Sequence, residues 1–235
     1  AAVRRKEDYR FLTGRGRYTD DISRPGQVYA YFLRSPHAHA TLKGINTDAA
    51  RNSPGVVAIY TGGDPEADGV GGLICGWVIT DKSGEKAKVP PRPLLAKDTV
   101  HYVGNHVAVV IAETLAQAKD AAELIEADYE ELAACIGTAK ALDPDAPRVH
   151  AEAPGNLCFD WEVGDEAATD AAFAKAHHVT KLNLVNNRLI PNAIEPRAAI
   201  GEYDPGRDSF TLYVTSQNPH VARIIISAFH NVAPE

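Results

Sequence analysis

The chain has 235 residues, enough for one large or two ordinary domains with hydrophobic cores. Its apolar content of 45% and charged content of 23% are ordinary for a globular protein, and its formal net charge of -7 argues against a nucleic-acid partner. No apolar run approaches the roughly 20 residues that a bilayer-spanning helix needs, and the first residues lack the apolar core of a signal peptide.

Three cysteines, Cys75, Cys135 and Cys158, are widely separated in the sequence. This pattern excludes a disulfide framework and fits a reducing compartment, so we expect the protein in the cytoplasm. Three thiolates cannot hold an iron–sulfur cluster by themselves, since such clusters usually need four. The chain contains no methionine, so we expect it to be part of a longer protein.

An arm over residues 1–18 carries several basic side chains, and we expect a solvated tail, with docking to another subunit as the alternative. Apolar and β-branched patterns predict strands over 27–33, 38–45 and 56–61. The following stretch, 62–93, is rich in Gly, Pro and charge, which predicts little regular structure. The basic residues of the arm are Arg4, Arg5, Lys6, Arg10, Arg15 and Arg17.

A hairpin and a helix are predicted in the middle of the chain. Strands over 99–103 and 107–113 are expected to pair, with Gly104 and Asn105 at their turn. Thr114 is expected to cap the helix that follows. Apolar residues at helical spacing predict the buried face of this helix, which would end near the last of them: Ala118, Ala121, Ala122 and Ile125.

The second half of the chain is predicted to alternate strands and helices. A short strand over 127–130 precedes a Pro- and Ala-rich linker over 141–154. Strands are predicted over 156–162 and 178–187, with a short helix over 170–176 between them. Further on, strands over 197–203 and 210–214 are expected to form a hairpin around the sequence Asp-Pro-Gly.

Gln217 lies at a predicted junction between a strand and a helix. Asn218 is a good N-cap, Pro219 suits the first helical position, and 220–230 has the length and apolar content of a packed helix. A helix N-terminus favours anionic groups, and a glutamine amide offers two donors and one acceptor. Gln217 is therefore a candidate cofactor contact. The alternative is a glutamine that satisfies backbone groups at a turn.

Nine histidines invite a metal-site hypothesis. His37 and His39 would share one face of a strand, whereas His177 and His178 would face opposite ways. Neither pair has a cysteine or carboxylate at a recognised zinc spacing, so we predict no protein-bound metal and expect surface or partner-contact histidines. A glycine-rich run, 69–76, lacks the strand, helix and Lys-Ser/Thr ending of a phosphate loop, so no nucleotide role is predicted.

Segments spread over nearly the whole chain resemble, in order, the large subunit of the molybdenum hydroxylases. This is the family of xanthine oxidase, aldehyde oxidoreductase and carbon monoxide dehydrogenase, and bacterial carbon monoxide dehydrogenase-like large chains look most similar. The agreement of many separate blocks makes the resemblance specific. The segments are RKEDYRFLTGRGRYTDDI, YFLRSPHAHA, PGVVAIYTG, VHYVGNHVAVVIAET, AEAPGNLCFDWEVGD, NNRLIPNAIEPRAAIGEYDP and TSQNPHVAR.

The resemblance implies an α+β fold. An α/β hammerhead domain over 19–140 would follow the arm, and the linker over 141–154 would lead into the beginning of a molybdopterin-binding α+β domain over 155–235. In the family, the glutamine of the motif matching 215–218 lies against the molybdenum oxo group, so Gln217 is the expected cofactor-binding residue.

The resemblance places the family's catalytic glutamate further along a full-length chain, so no catalytic residue is expected here. Glu195 should not be given that role. It either lines the route to the metal or, as we favour, forms a structural ion pair with its neighbour Arg197.

The complete enzyme would hydroxylate an aldehyde or an N-heterocycle, or oxidise carbon monoxide, with oxygen taken from water. Its molybdenum cofactor would be of the molybdopterin type, as the cytosine dinucleotide. Electrons would leave through iron–sulfur clusters and FAD on a small and a medium partner subunit, with a dimer of heterotrimers as the candidate assembly. The fragment itself is expected to hold no cofactor and to be inactive. A non-catalytic scaffold domain with the hammerhead fold is the alternative.

Overall fold

The chain forms two compact units. A computed structural model describes residues 3–230, 232 and 233, except for the side chain of Glu66. Among the described residues, the larger unit contains Val28–Val179 with Phe229, His230 and Val232, and the smaller unit combines residues 3–27 with Thr180–Ala228 and Ala233. The predicted linker over 141–154 lies within the larger unit, so the domain bounds derived from the sequence stay predictions.

The first sheet of the larger unit is antiparallel, with β5 (His106–Ala112) between β1 (Tyr29–Arg34) and β3 (Val56–Thr61). A helix, α4 (Leu115–Glu123), packs against this sheet. Alternate residues of the central strand point towards the helix, because side chains alternate across a strand. The first core cluster contains Ala50, Ile59, Ala108, Val110, Ala112, Ala118, Ala121, Ala122 and Ile125.

The predicted cap and buried face of α4 are confirmed. The hydroxyl of Thr114 accepts a hydrogen bond from the N–H of Gln117 at 3.2 Å, which satisfies one of the free donors at the helix start. Ala118 and Ala121 are fully buried, and their small side chains let the helix approach the sheet closely. Ile125 is 8% exposed and lies just after the last helical residue.

The second sheet has β2 (Ala40–Asn46) between β4 (Thr99–Val100) and β6 (Glu126–Glu131), again antiparallel. Its cluster contains Ala40, Leu42, Ala96, Val100 and Val107. Leu33 and Ile45 pack against both clusters, so the two sheets share one core. The strands predicted over 27–33, 38–45, 56–61 and 127–130 are thereby confirmed, with ends that differ by one or two residues.

The predicted hairpin over 99–113 is wrong, because its two strands belong to different sheets. Gly104 has the positive φ of a turn residue, at 90°, but this turn does not lead the two strands into one sheet. The buried Ser35 takes up the backbone groups instead: its N–H donates to the carbonyl of Asn105, and its carbonyl accepts from Gly104, each at 2.8 Å.

The stretch 62–93 contains little regular structure, as predicted. Its described residues form one short helix, α3 (Asp64–Ala67), and one isolated bridge between Thr80 and Lys86. A further short helix, α2 (Asp48–Arg51), was not predicted.

The predicted strand over 156–162 is wrong. A 3-10 turn occupies Pro154–Asn156, and Asn156 has a φ of 57° that no strand residue adopts. Its side chain instead organises the preceding loop, since its oxygen accepts from the N–H of Val149 and its amide donates to the carbonyl of Ala141.

The predicted strand over 178–187 is also wrong. Its apolar composition suits a strand, but a strand requires a hydrogen-bonded ladder, and none forms there within the described residues. Leu182 and Leu184 are more than two-thirds exposed. The helix predicted over 170–176 is confirmed but begins earlier: α5 covers Glu166–Lys175, because Asp165 caps it by accepting from the N–H of Ala168 at 2.8 Å.

The smaller unit contains the predicted hairpin and the last helix. β7 (Ala199–Asp204) pairs with β8 (Ser209–Val214), and α6 (Pro219–His230) follows. A short helix, α1 (Asp8–Leu12), lies in the predicted arm and buries no residue. No helix within 3–230 is long and apolar enough to cross a membrane.

Candidate functional site

Gln217 lies between β8 and α6, as predicted from the sequence. Asn218 caps the helix, since its side-chain oxygen accepts from the N–H of Val221 at 3.2 Å, and Pro219 is the first helical residue. The hydroxyl of Ser216 accepts from the N–H of Asn218 at 3.1 Å. These contacts define the backbone on both sides of the glutamine.

The side chain of Gln217 is exposed and makes no hydrogen bond with any described residue. Within the described residues, this glutamine therefore does not satisfy backbone groups at the turn. The shorter side chains of Ser216 and Asn218 accept hydrogen bonds from the backbone N–H groups of this turn instead. The amide of Gln217 keeps two donors and one acceptor free for another group.

Glu195 does not form the ion pair with Arg197 that we favoured from the sequence. Its Oε1 accepts instead from the backbone N–H of Thr19, at 2.9 Å. That bond, followed by one from the hydroxyl of Thr215, lowers the pKa of Glu195. The fold brings Thr19 and Thr215 next to this carboxylate, and their donors satisfy it in place of Arg197.

Thr19 and Thr215 were not identified from the sequence. Thr19 is only 8% exposed, and its hydroxyl lies 3.3 Å from the hydroxyl of Thr215. The two residues are 196 positions apart, and so no local pattern connects them. The signal that could have drawn attention to them is their place beside the resembling motifs, in RYTDD and TSQNP.

Neither of the two histidine pairs lies in a strand, contrary to the prediction from the sequence. His37 and His39 precede β2 instead of sharing a strand face, and each has its own partner: Nδ1 of His37 lies 3.0 Å from Oε1 of Glu131, and Nδ1 of His39 lies 2.8 Å from the carbonyl oxygen of Ala133. His177 follows α5. The described residues contain no group of three ligating side chains that could hold a metal ion.

A stack of three imidazoles lies elsewhere in the larger unit. The ring centroid of His101 is 5.8 Å from that of His39 and 4.1 Å from that of His150. Nδ1 of His101 is buried without a hydrogen-bond partner among the described residues. Burial, and then the neighbouring His150, lower the pKa of His101. Burial likewise lowers the pKa of His150, against the opposing effect of Glu152.

These shifts predict that the larger unit loses stability on mild acidification. With pKa values below the ordinary 6.5, the folded state binds fewer protons than the unfolded state. The contribution of these two histidines to stability is therefore complete above pH 6.5, and it is lost as the pH falls from 6.5 to their pKa values in the folded state. We expect His150→Phe, which keeps a ring beside His101, to flatten the dependence of the urea midpoint on pH. The exposed His177→Phe is the control, and an unchanged slope in His150→Phe would contradict this account.

One residue of the glycine-rich run over 69–76, Gly72, has a packing role. A Cβ on Gly72 would lie 2.5 Å from the carbonyl oxygen of Arg92, so only glycine allows this approach. Leu73 donates its N–H to the same oxygen at 2.8 Å. This contact holds two segments of an irregular loop together, and it differs from a phosphate cradle, in which N–H groups converge on open space.

Comparison with known proteins assigns the chain to a family. Residues 13–133 match the family described as aldehyde oxidase and xanthine dehydrogenase, a/b hammerhead domain. Residues 149–235, which include Gln217, match the molybdopterin cofactor-binding domain. The α+β architecture inferred from the sequence is thereby confirmed.

Relatives match the chain over nearly its whole length. It is 36% identical to the carbon monoxide dehydrogenase large chain of Hydrogenophaga pseudoflava, over 97% of the chain and 28% of the relative. It is also 36% identical to the nicotine 6-hydroxylase large subunit of Paenarthrobacter nicotinovorans, over 97% of the chain and 27% of the relative. The chain thus spans little more than a quarter of the length of these relatives.

The solved structure of quinoline 2-oxidoreductase from Pseudomonas putida 86 superposes with a TM-score of 0.84 at 32% identity, over 99% of this chain and 28% of that one. The chain belongs to the aldehyde oxidase and xanthine dehydrogenase family, in which the hammerhead domain is followed here by part of a molybdopterin cofactor-binding domain.

Proposed function

We propose that this chain is part of the large, cofactor-binding subunit of a molybdenum hydroxylase. The complete enzyme hydroxylates an aldehyde or N-heterocycle, or oxidises carbon monoxide, and takes the oxygen from water. The observation that carries this proposal is the free amide of Gln217 at a strand-to-helix junction, within residues that match a molybdopterin cofactor-binding domain.

The residues at this junction fit a molybdenum cofactor. Gln217 has free N–H donors for an oxo ligand, and the start of the 12-residue α6 carries the partial positive charge that favours an anionic group. When bound, the cofactor supplies the two-electron oxidation chemistry. Gln217 would hold and orient an oxygen atom of the bound group without changing its own protonation state.

Glu195 is not the catalytic base of this proposal. Its carboxylate already accepts hydrogen bonds from Thr19 and Thr215, and its lowered pKa makes it a poor proton acceptor. The resemblance to the molybdenum hydroxylases implies that the base lies further along the large subunit, so we assign no catalytic residue in this chain.

The names of the relatives, a large chain and a large subunit, support the presence of smaller partner subunits, and the family resemblance implies what those partners carry. We propose a small iron–sulfur subunit and a medium FAD-binding subunit that accept the electrons, a molybdopterin cytosine dinucleotide cofactor, and a dimer of heterotrimers. Cys75, Cys135 and Cys158 are free thiols, which supports assembly in a reducing compartment such as the cytoplasm.

Metal analysis and isotope labelling test this function. The full-length large subunit, produced with its partners, is expected to contain stoichiometric molybdenum, whereas residues 1–235 alone are expected to contain none. A single neutral amide contributes only about 0.5–1.5 kcal/mol, too little to retain the cofactor in the isolated chain. Incubation in ¹⁸O-labelled water with an aldehyde, an N-heterocycle and carbon monoxide should label one of the products. A product labelled from dioxygen, or a molybdenum-free full-length protein, would refute the proposal.

A further inference from the structure

A small hydrogen-bonded turn near the N-terminus contacts the strand end that presents Gln217. Thr19 donates its N–H to Glu195 and places its hydroxyl beside that of Thr215, two residues before the glutamine. All four residues belong to the smaller unit. The turn therefore connects the beginning of the chain to the candidate cofactor contact through two side chains.

The turn itself is well ordered by its own hydrogen bonds. The N–H of Tyr18 donates to the carboxylate of Asp21 at 2.8 Å, and the N–H groups of Asp21 and Ile22 donate to the carbonyls of Tyr18 and Thr19. Thr19 is thus held before it meets Glu195. The carboxylate of Glu195 is charged at neutral pH, as an ordinary glutamate is, and the N–H of Thr19 and the hydroxyl of Thr215 lower its pKa further. Hydrogen bonds to a charged acceptor are stronger than those between neutral groups.

Gln217 depends on its neighbours for position, since its side chain has no hydrogen bond of its own within the described residues. On the helix side, Asn218 caps α6. On the strand side, Thr215 is held by its backbone bond to Ala198, at 3.4 Å, and by its hydroxyl contact with Thr19. The long backbone bond alone is weak, so the side-chain contacts matter more.

We propose that Thr19 and Glu195 are positioning residues, which hold Thr215 and thereby fix the direction in which Gln217 presents its amide. The inference rests on the proposed function, because it needs Gln217 to act at the cofactor. Neither Thr19 nor Glu195 touches the reacting atoms in this proposal.

A nearby ion pair supplies a matched control. Arg24 contacts Glu202 through two hydrogen bonds, of 2.6 and 2.9 Å, and also connects the N-terminal segment to the hairpin. Glu202 pairs with Thr211 in the sheet, and its carboxylate also contacts the side chain of Tyr213. Glu202→Gln therefore removes a charged contact of the same segment without touching Thr19, Glu195 or Thr215.

Hydrogen exchange tests the coupling independently of activity. In the full-length protein before cofactor insertion, Glu195→Ala is expected to speed exchange of the hydrogen-bonded amides within 215–221, those of Thr215, Asn218 and Val221, by about tenfold, the loss expected for about one hydrogen bond. Thr19→Val should act in the same direction, and Glu202→Gln should leave these amides unchanged. Unchanged exchange over 215–221 in Glu195→Ala would overturn the inference.

Turnover of the loaded enzyme tests the positioning itself. Glu195→Ala should lower kcat by about 10- to 100-fold, with KM and molybdenum content close to normal, because a small misplacement of a reacting group is costly. Glu195→Gln should restore most of kcat, since its amide oxygen can still accept from the N–H of Thr19. Adding Glu195→Ala to Gln217→Ala should lower kcat no further.

These experiments distinguish failure of the positioning role from failure of the proposed function. If the two substitutions lower kcat independently, Glu195 does not act through Gln217, and the positioning role is refuted while the proposed function stands. If Gln217→Ala has normal turnover at normal molybdenum content, the role of Gln217 in the proposed function fails, and the positioning role fails with it. The hydrogen-exchange result then still reports whether the contact stabilises the strand end.

Discussion

Turnover of the full-length enzyme is expected to fall by about 10²–10³-fold when Gln217 is replaced by alanine, the usual cost of removing one preorganised donor from an active site. The fold should survive, because the side chain is exposed and its loss opens no cavity. Measuring turnover and molybdenum content together separates two roles. Normal molybdenum with low turnover assigns Gln217 to orienting the oxo group, whereas lost molybdenum assigns it to retaining the cofactor.

Two variants sharpen this experiment. Gln217→Glu keeps the shape of the side chain but removes both N–H donors, so it should be as impaired as Gln217→Ala. Asn218→Ala removes the helix cap and should cost about 0.5–2 kcal/mol of stability while leaving the Gln217 amide in place. If Asn218→Ala lowered turnover as much as Gln217→Ala, the effect would belong to the local turn and not to the amide.

The sequence predicted those parts of the fold that depend on local signals. The helix after Thr114 has its cap and its buried alanines within 12 positions of one another, and both were found where the spacing indicated. The hairpin of β7 and β8 was likewise predicted, because a short Asp-Pro-Gly connection forces the two strands to be neighbours.

The wrong predictions concern segments whose strand pairing depends on residues that are distant in the sequence. The residues around Gly104 have the composition of a turn, but Ser35 hydrogen-bonds to them on both sides and the flanking strands go to different sheets. The segment over 156–162 has aromatic and apolar residues, and the segment over 178–187 has apolar and β-branched ones, yet neither forms a strand within the described residues. Two carbonyls of the first segment, those of Cys158 and Asp160, accept backbone hydrogen bonds from Lys88 and Lys82, but this pairing does not extend into a strand. Composition alone does not specify a partner.

In the candidate site, too, local signals predicted one residue correctly, whereas a contact between distant residues was missed. Gln217 was identified because a cap, a proline and a helix follow it directly, and because the motif around it resembles a known one. The partners of Glu195 were assigned wrongly because Arg197 is its sequence neighbour, whereas Thr19 is 176 positions away. Proximity in sequence favoured an ion pair, and the fold supplied a better-aligned donor.

A substitution in the core of the larger unit is expected to lower the stability of that unit strongly. Ile59 in β3 is 2% exposed and packs in the cluster formed with α4. Ile59→Ala leaves a cavity that the close-packed alanines of the helix cannot fill, so it should cost about 2–5 kcal/mol. Hydrogen exchange of the amides over 107–110, in the central strand, is the suitable measurement, because it reports on this unit separately from the smaller one.

Since every 1.4 kcal/mol is about a factor of ten, these amides should exchange about 30-fold faster or more in Ile59→Ala. Val57→Ala is the matched control, because Val57 lies in the same strand but is 60% exposed, at the point where the pairing with β5 is irregular. It should change stability by no more than about 0.5 kcal/mol. Equal effects of the two substitutions would mean that β3 contributes through strand pairing and not through its packing on α4. Protection over 107–110 no greater than that over 141–154 in the unmodified protein would contradict the assigned core itself.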